Sequence, residues 1–143
     1  ALKLLYRVET GVRTETLHPL SKLVQQLSEV TMPPNKPVVG DNVFTTESGI
    51  VGGWWTKLES LGMITEMFPF TPQSVGHGPI RVAVGKKSGR ESLLYKVKKQ
   101  GLKLEEKNLD DILQKVKKLA VTKKRVLTDE EIAEIVDKSN RQD

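Results

Sequence analysis

The chain has 143 residues, carries 23 Lys and Arg against 18 Asp and Glu for a formal net charge of +5, and contains no cysteine. That length suits one ordinary domain or two small ones, and a hydrophobic content of 37% with 5% aromatics permits only a lean core. The lack of cysteine excludes disulfides and thiolate metal sites and fits a reducing cytoplasm; no apolar run nears the roughly 20 residues that span a bilayer, and Lys3 and Arg7 interrupt the opening stretch where a secretory leader would be apolar.

Ala1 to Val8 reads as a short helical segment on which Leu2, Leu5 and Tyr6 share a face, ended by Thr10 and Gly11. It has no cap and does not start with Met, so the chain is expected to be a piece of a longer protein. A second helix is predicted from Leu17 to Glu29, with Leu17, Leu20, Leu23, Val24 and Leu27 on one stripe and Pro19 tolerated in the first turn. The prolines of MPPNKPVVG, Met32 to Gly40, make a loop and the clearest boundary in the chain.

Asp41 to Ile50 is expected to open a helix capped by Asp41 or Asn42. Gly49, Gly52 and Gly53 argue against a long one, because each costs about 1 kcal/mol relative to Ala. Trp54, Trp55, Leu58 and Leu61 fit a helical turn or two before Gly62. FPFTP, Phe68 to Pro72, is a turn, and Ile80 to Val84 alternates as a strand does.

The last third is helical. Ser88 and Glu91 make an S-x-x-E capping box ahead of a helix carrying Leu93, Leu94 and Val97 that ends at Gly101. Asn108 is the expected cap of the next helix, with its stripe of Leu109, Ile112, Leu113, Val116 and Leu119. Thr128 and Glu131 make a second box before Ile132, Ile135 and Val136, and residues 140–143 are expected to fray. The fold class is therefore mostly α with a small β element, with expected domains at 1–34, 35–87 and 88–143.

Few residue types that carry chemistry are present. The two histidines, His18 and His77, have no partner at ligand spacing, which points away from a metal site. Asp41, Asn42, Glu47 and Ser48 form a polar run beside glycines. It serves either acid–base work or capping and solvation. Gly85-Lys86-Lys87-Ser88-Gly89-Arg90 is either an anion-binding turn at a helix start or a structural strand-to-helix turn; its spacing is not that of a Walker A loop. Trp54 and Trp55 fit a core or an interface. Lys86 to Arg125 holds fourteen basic residues against five acidic ones. This is either a solvated helical surface or a polyanion-binding one, and no aromatic residues interleave the lysines as a nucleic-acid stacking platform requires.

NKPVVGDNVFTTESGI, Asn35 to Ile50, together with TPQSVG and with IRVAVGKKSGRESL ending at Leu93, resembles the region after the barrel in the 2-isopropylmalate synthase, homocitrate synthase and citramalate synthase family. Ala1 to Val30 resembles the last barrel helices, and Ser88 to Asn140 the second, helical accessory subdomain. The resemblance implies accessory subdomains that follow a TIM barrel, with the barrel itself absent from this chain. It implies a parent enzyme that condenses an acyl-CoA with a 2-oxo acid in the cytoplasm. A divalent metal in the barrel, held by Asp, His and Asn ligands outside this chain, would polarise the 2-oxo acid.

The resemblance further implies homodimerisation and active-site covering as this region's role, with Asp41, Asn42, Glu47 and Ser48 facing the active site. Lys86, Lys87 and Arg90 would meet CoA phosphates; no metal ligand is expected here, nor catalysis by this part alone. The chain departs from the pattern in three places. Val51 stands where a His usually follows Ser-Gly-Ile, Met67 where a Tyr usually precedes the proline turn, and Lys87 where a His often precedes Ser-Gly-Arg. Alternatives are an independent basic module for RNA or another polyanion, and part of a non-catalytic paralogue.

Overall fold

Apolar side chains three and four residues apart decide where the larger core forms. In the computed structural model, which describes residues 2–140, the chain divides into two compact units. One comprises Ala1–Thr45 with Gly62–Ile80, the other Thr46–Leu61 with Arg81–Asp143. The elements in chain order are α1 (Leu2–Leu5), α2 (Leu17–Ser28), β1 (Thr45–Thr46), α3 (Gly49–Ser60), β2 (Arg81–Val82), α4 (Arg90–Lys99), α5 (Leu109–Lys123) and α6 (Asp129–Asn140). The fold is mostly helical, with one small parallel pair of strands, and contains no barrel among the described residues. Residue 1 and residues 141–143 of the expected fray lie outside the described residues. Asn140 itself closes α6, and its side-chain amide donates to the Lys103 carbonyl at 2.9 Å.

In the first unit α1 is shorter than expected, stopping at Leu5 before Arg7 takes a left-handed backbone with φ 54°. α2 lies close to where periodicity predicts it, but among its described side chains only Ser21 is buried, and Leu20, Leu23, Val24 and Leu27 face solvent. The packed centre of this unit is aromatic instead. Phe44 is buried, with the rings of Phe68, Phe70 and His77 centred 5.4, 5.6 and 5.1 Å from it. Tilted and edge-on rings at such spacings add about 0.5–1.5 kcal/mol per pair beyond the area they bury. The proline-rich loop is tightly wound. The Val39 amide donates to the Pro37 carbonyl at 2.9 Å across Val38, whose φ of 70° is rare for a β-branched residue.

The second unit holds the larger core. Leu93 and Val97 of α4, Leu109, Ile112, Leu113, Val116 and Ala120 of α5, and Ile132 and Val136 of α6 bury together with Val84 and Leu127. The Thr128–Glu131 capping box forms as expected. Thr128 N–H donates to Glu131 at 2.8 Å, and Glu131 N–H to Thr128 Oγ1 at 3.3 Å.

Two local expectations differ from the structure. α3 starts at Gly49 behind Ser48, not at Asp41 or Asn42. Its glycines do not break it, because they form the face that meets α4. A Cβ on Gly49 would lie 2.6 Å from the Gly89 nitrogen, and one on Gly52 would lie 2.3 Å from Ser92 Oγ. Close helix approach with burial of Trp55 and Leu58 offsets the propensity cost. The Ser88–Glu91 box is likewise absent. Gly89 occupies the cap position, and buried Ser88 accepts the Gly85 amide at 2.9 Å inside its own turn.

Gly49→Ala is expected to lower the stability of the chain by about 2 kcal/mol, since the atom it meets is backbone and cannot swing away. Lys57→Ala, exposed on the same helix, should stay within about 0.5 kcal/mol. Urea unfolding of both variants measures the difference, and equal midpoints would refute the close-contact account.

Candidate functional site

Strand pairing brings the two sequence motifs together. Ala83 N–H donates to the Thr46 carbonyl at 2.8 Å, which sets Glu47 against the turn Gly85–Gly89. Glu47 Oε1 accepts the Lys87 amide at 3.0 Å, and the Ser88 hydroxyl reaches the Glu47 carbonyl at 3.3 Å. Gly85 lets Glu47 come close: a Cβ there would lie 2.7 Å from Glu47 Oε1, so a larger residue would push that carboxylate off the turn. A further ladder bond, Leu127 N–H to the Val84 carbonyl at 2.9 Å, draws the segment after α5 alongside.

The result is an open cleft of about 340 Å³ whose walls include Glu47, Lys86, Lys87, Val121, Lys124 and Arg125. Lys124 enters it from the end of α5 with a left-handed backbone, φ 52°. Arg125 is committed elsewhere. Its guanidinium grips both oxygens of Glu131 at 2.7 and 2.9 Å, and Lys123 pairs with the same carboxylate. Arg125 first, then Lys123 and the Thr128 amide, hold the Glu131 carboxyl far below the usual carboxylate range.

The other candidates fall elsewhere. Arg90 is not in this cleft; it forms a two-pronged pair with Asp110, with Nε 2.7 Å from Oδ1. Ser48 takes the cap position of α3, and its carbonyl accepts the Gly52 amide at 2.7 Å. Asp41 and Asn42 belong to the first unit, whereas Glu47 and Ser48 belong to the second, so the polar run is divided between them. Asn42 N–H donates to the Pro34 carbonyl at 2.7 Å. Asp41 accepts Lys22 Nζ at 2.6 Å and lies 3.3 Å from His18 Nε2. Lys22 first, then His18, holds its carboxyl below the ordinary value.

One association went unread in the sequence. His18 and His77, 59 positions apart, stack with ring centroids 3.8 Å apart. No spacing signal links a helix start to a glycine-flanked loop residue, and only the fold brings them together. Among the described residues no three His, Asp or Glu side chains converge as a metal site requires. No helix among them is long and apolar enough to cross a membrane.

Residues 38–124 match the family model described as homocitrate synthase post-HMGL domain-like. The chain is 42% identical to a probable 2-isopropylmalate synthase of Methanopyrus kandleri over 120 residues, 83% of this chain and 23% of that protein. It is 37% identical to the (R)-citramalate synthase of Methanocaldococcus jannaschii over 118 residues, 82% of this chain and 23% of the relative. With the 2-isopropylmalate synthase of Syntrophus aciditrophicus it shares 37% identity over 135 residues, 92% of this chain and 24% of that protein. The chain thus spans about a quarter of the length of these relatives.

A carboxylate whose folded-state pKa is depressed adds stability above its unfolded value, near 4.3 for Glu, and loses it as pH falls toward the folded value. Stability of the chain should therefore drop on acidification below about pH 5. Glu131→Gln should flatten part of that slope, with the depressed Glu15, Asp41, Asp110, Asp129 and Glu134 carboxyls contributing to the rest. Denaturant midpoints across this range test it, and an unchanged slope in the variant would count against the Arg125–Glu131 pair.

Proposed function

The chain belongs to the homocitrate synthase post-HMGL domain-like family, and from that premise we propose that it is the accessory region of a larger acyltransferase joining an acyl-CoA to a 2-oxo acid. What carries this reading is the match to residues 38–124, supported by relatives named as 2-isopropylmalate and citramalate synthases of more than three times this length. In this proposal the work of the region is to pair protomers and cover the active site in the cytoplasm.

Among the described residues no three His, Asp or Glu side chains converge, and the proposal places the metal that would orient the 2-oxo acid in polypeptide outside this chain. The residues at the variant positions support a non-catalytic role. Val51 and Met67 cannot transfer protons, so the parent either draws its acid–base group from elsewhere or lacks turnover.

Two exposed apolar faces suit the proposed contacts. Ile50 and Trp54 of α3 and Leu61 just past its end recur on one side at 88%, 56% and 68% exposure, a pattern suited to pairing with a second protomer. Trp55 is buried in the second unit, so the two tryptophans divide between core and surface. The stripe of Leu20, Leu23, Val24 and Leu27 on α2 suits the remainder of the parent enzyme as its cover.

The basic run gives little support to an RNA module. Half of its fourteen basic residues, Arg90, Lys96, Lys99, Lys107, Lys115, Lys123 and Arg125, sit in ion pairs.

Release of free CoA from an acyl-CoA, in the presence of candidate 2-oxo acids and a divalent metal, separates the possibilities. The parent protein should show turnover, whereas the 143-residue chain should show none; turnover by the chain alone overturns the assignment. Sedimentation of the parent should give a dimer that Trp54→Asp weakens at least tenfold, about 1.4 kcal/mol or more. An unaltered dimer would exclude the α3 face.

A further inference from the structure

We propose that the cleft between the Gly85–Gly89 turn and the end of α5 binds a phosphate monoester, held by Lys86, Lys87 and Lys124. It deepens the expectation that Lys86 and Lys87 meet CoA phosphates and rests on that reading, but it concerns binding by this chain, so it can fail or hold whether or not a parent enzyme condenses an acyl-CoA. Three observations carry it.

The first is charge allocation. Many of the basic residues from Lys86 to Arg125 have a carboxylate partner, including Arg125, which lines this same cleft but is held by Glu131. Lys86, Lys87 and Lys124 have no ion-pair partner among the described residues, and all three line one cavity. Glu47 is the one carboxylate among the lining residues, and its Oε1 already accepts the Lys87 amide. Three ammonium groups against one carboxylate leave an excess of about two positive charges, close to the −1.5 to −2 of a phosphate monoester at neutral pH.

The second is the conformation of Lys124. α4 and α5 end in the same motif. After α4, Leu102 N–H donates to Val97 and Gly101 N–H to Lys98, with Gly101 at φ 67°. After α5, Arg125 N–H donates to Ala120 and Lys124 N–H to Val121, with Lys124 at the position where α4 has glycine. Glycine is the usual occupant because the left-handed region crowds a Cβ. The lysine there sets an ammonium group at the cleft where glycine would give an unstrained backbone.

The third is what else faces the ligand. The motif supplies donors to the Ala120 and Val121 carbonyls, so those acceptors are not left bare toward an anion. Val121 and Val126 supply apolar wall beside the lysines, which suits a phosphate carried on an organic group.

Titration of the 143-residue chain with inorganic phosphate and, separately, with adenosine monophosphate, followed by backbone amide NMR, tests this. Saturable shifts should centre on Lys86, Lys87, Val121 and Lys124, and should weaken as ionic strength rises. Tighter binding of the nucleotide is expected, and equal or weaker binding than inorganic phosphate would overturn the assignment to a monoester. Lys86→Gln and Lys124→Gln should each weaken binding roughly tenfold. Lys124→Gly should lose affinity to the same degree while keeping or raising the melting temperature, which separates binding from folding. The proposal is overturned by shifts that never saturate, by equal shifts with chloride at matched ionic strength, or by unchanged affinity in the Lys124 variants. Competition by RNA with shifts spread over the whole basic surface would overturn it too.

Discussion

The contact between two glycines, Gly49 at the start of α3 and Gly89 at the start of α4, is the constraint on which the second unit depends. A Cβ built on Gly49 meets the Gly89 backbone at 2.6 Å, so no other residue fits without moving one helix. The approach is what buries Ser88 and Ser92 and lets Glu47 reach back to the turn ahead of α4. The turn, held from within by Ser88 and from without by Glu47, then presents Lys86 and Lys87 on one side of the cleft. Backbone packing at one point thereby fixes electrostatics several residues away.

Charge is distributed in two ways in this unit. Some cations, among them Arg90, Lys96, Lys99 and Lys115, sit in surface pairs, each contributing modestly because solvent screens them. The Arg125–Glu131 pair is more constrained, since Glu131 also caps α6 and its side chain is mostly shielded. A carboxylate tied to two cations and a helix start joins α5, its trailing loop and α6 more firmly than an isolated pair would. The lysines outside that network are then the ones with capacity for a ligand.

Much of this was legible in the sequence, and unevenly so. The stripe of α5 and the Thr128–Glu131 box were readable because their signals are local: periodicity for one, a four-residue motif for the other. Gly49, Gly52 and Gly53 read as helix breakers, because propensity weighs each residue alone and cannot see a second helix 40 positions away. Ser88 and Glu91 have the letters of a capping box, yet the serine hydroxyl is drawn into the turn before the helix. Of the candidate site, Lys86 and Lys87 were visible as a motif, whereas Lys124 had no local signal. Its role depends on the helix end folding alongside Val84 to Lys87. The His18–His77 stack was hidden for the same reason, since both partners are ordinary in their own neighbourhoods.

Each unit is assembled from two separated stretches, and the polypeptide passes from one unit to the other at 45–46, 61–62 and 80–81. Three backbone crossings therefore join the units, where two contiguous domains would share a single connector. The same threading bears on heredity: neither unit can be gained, lost or swapped as one contiguous exon-like block. Added residues are expected to be accommodated at the exposed loops of either unit.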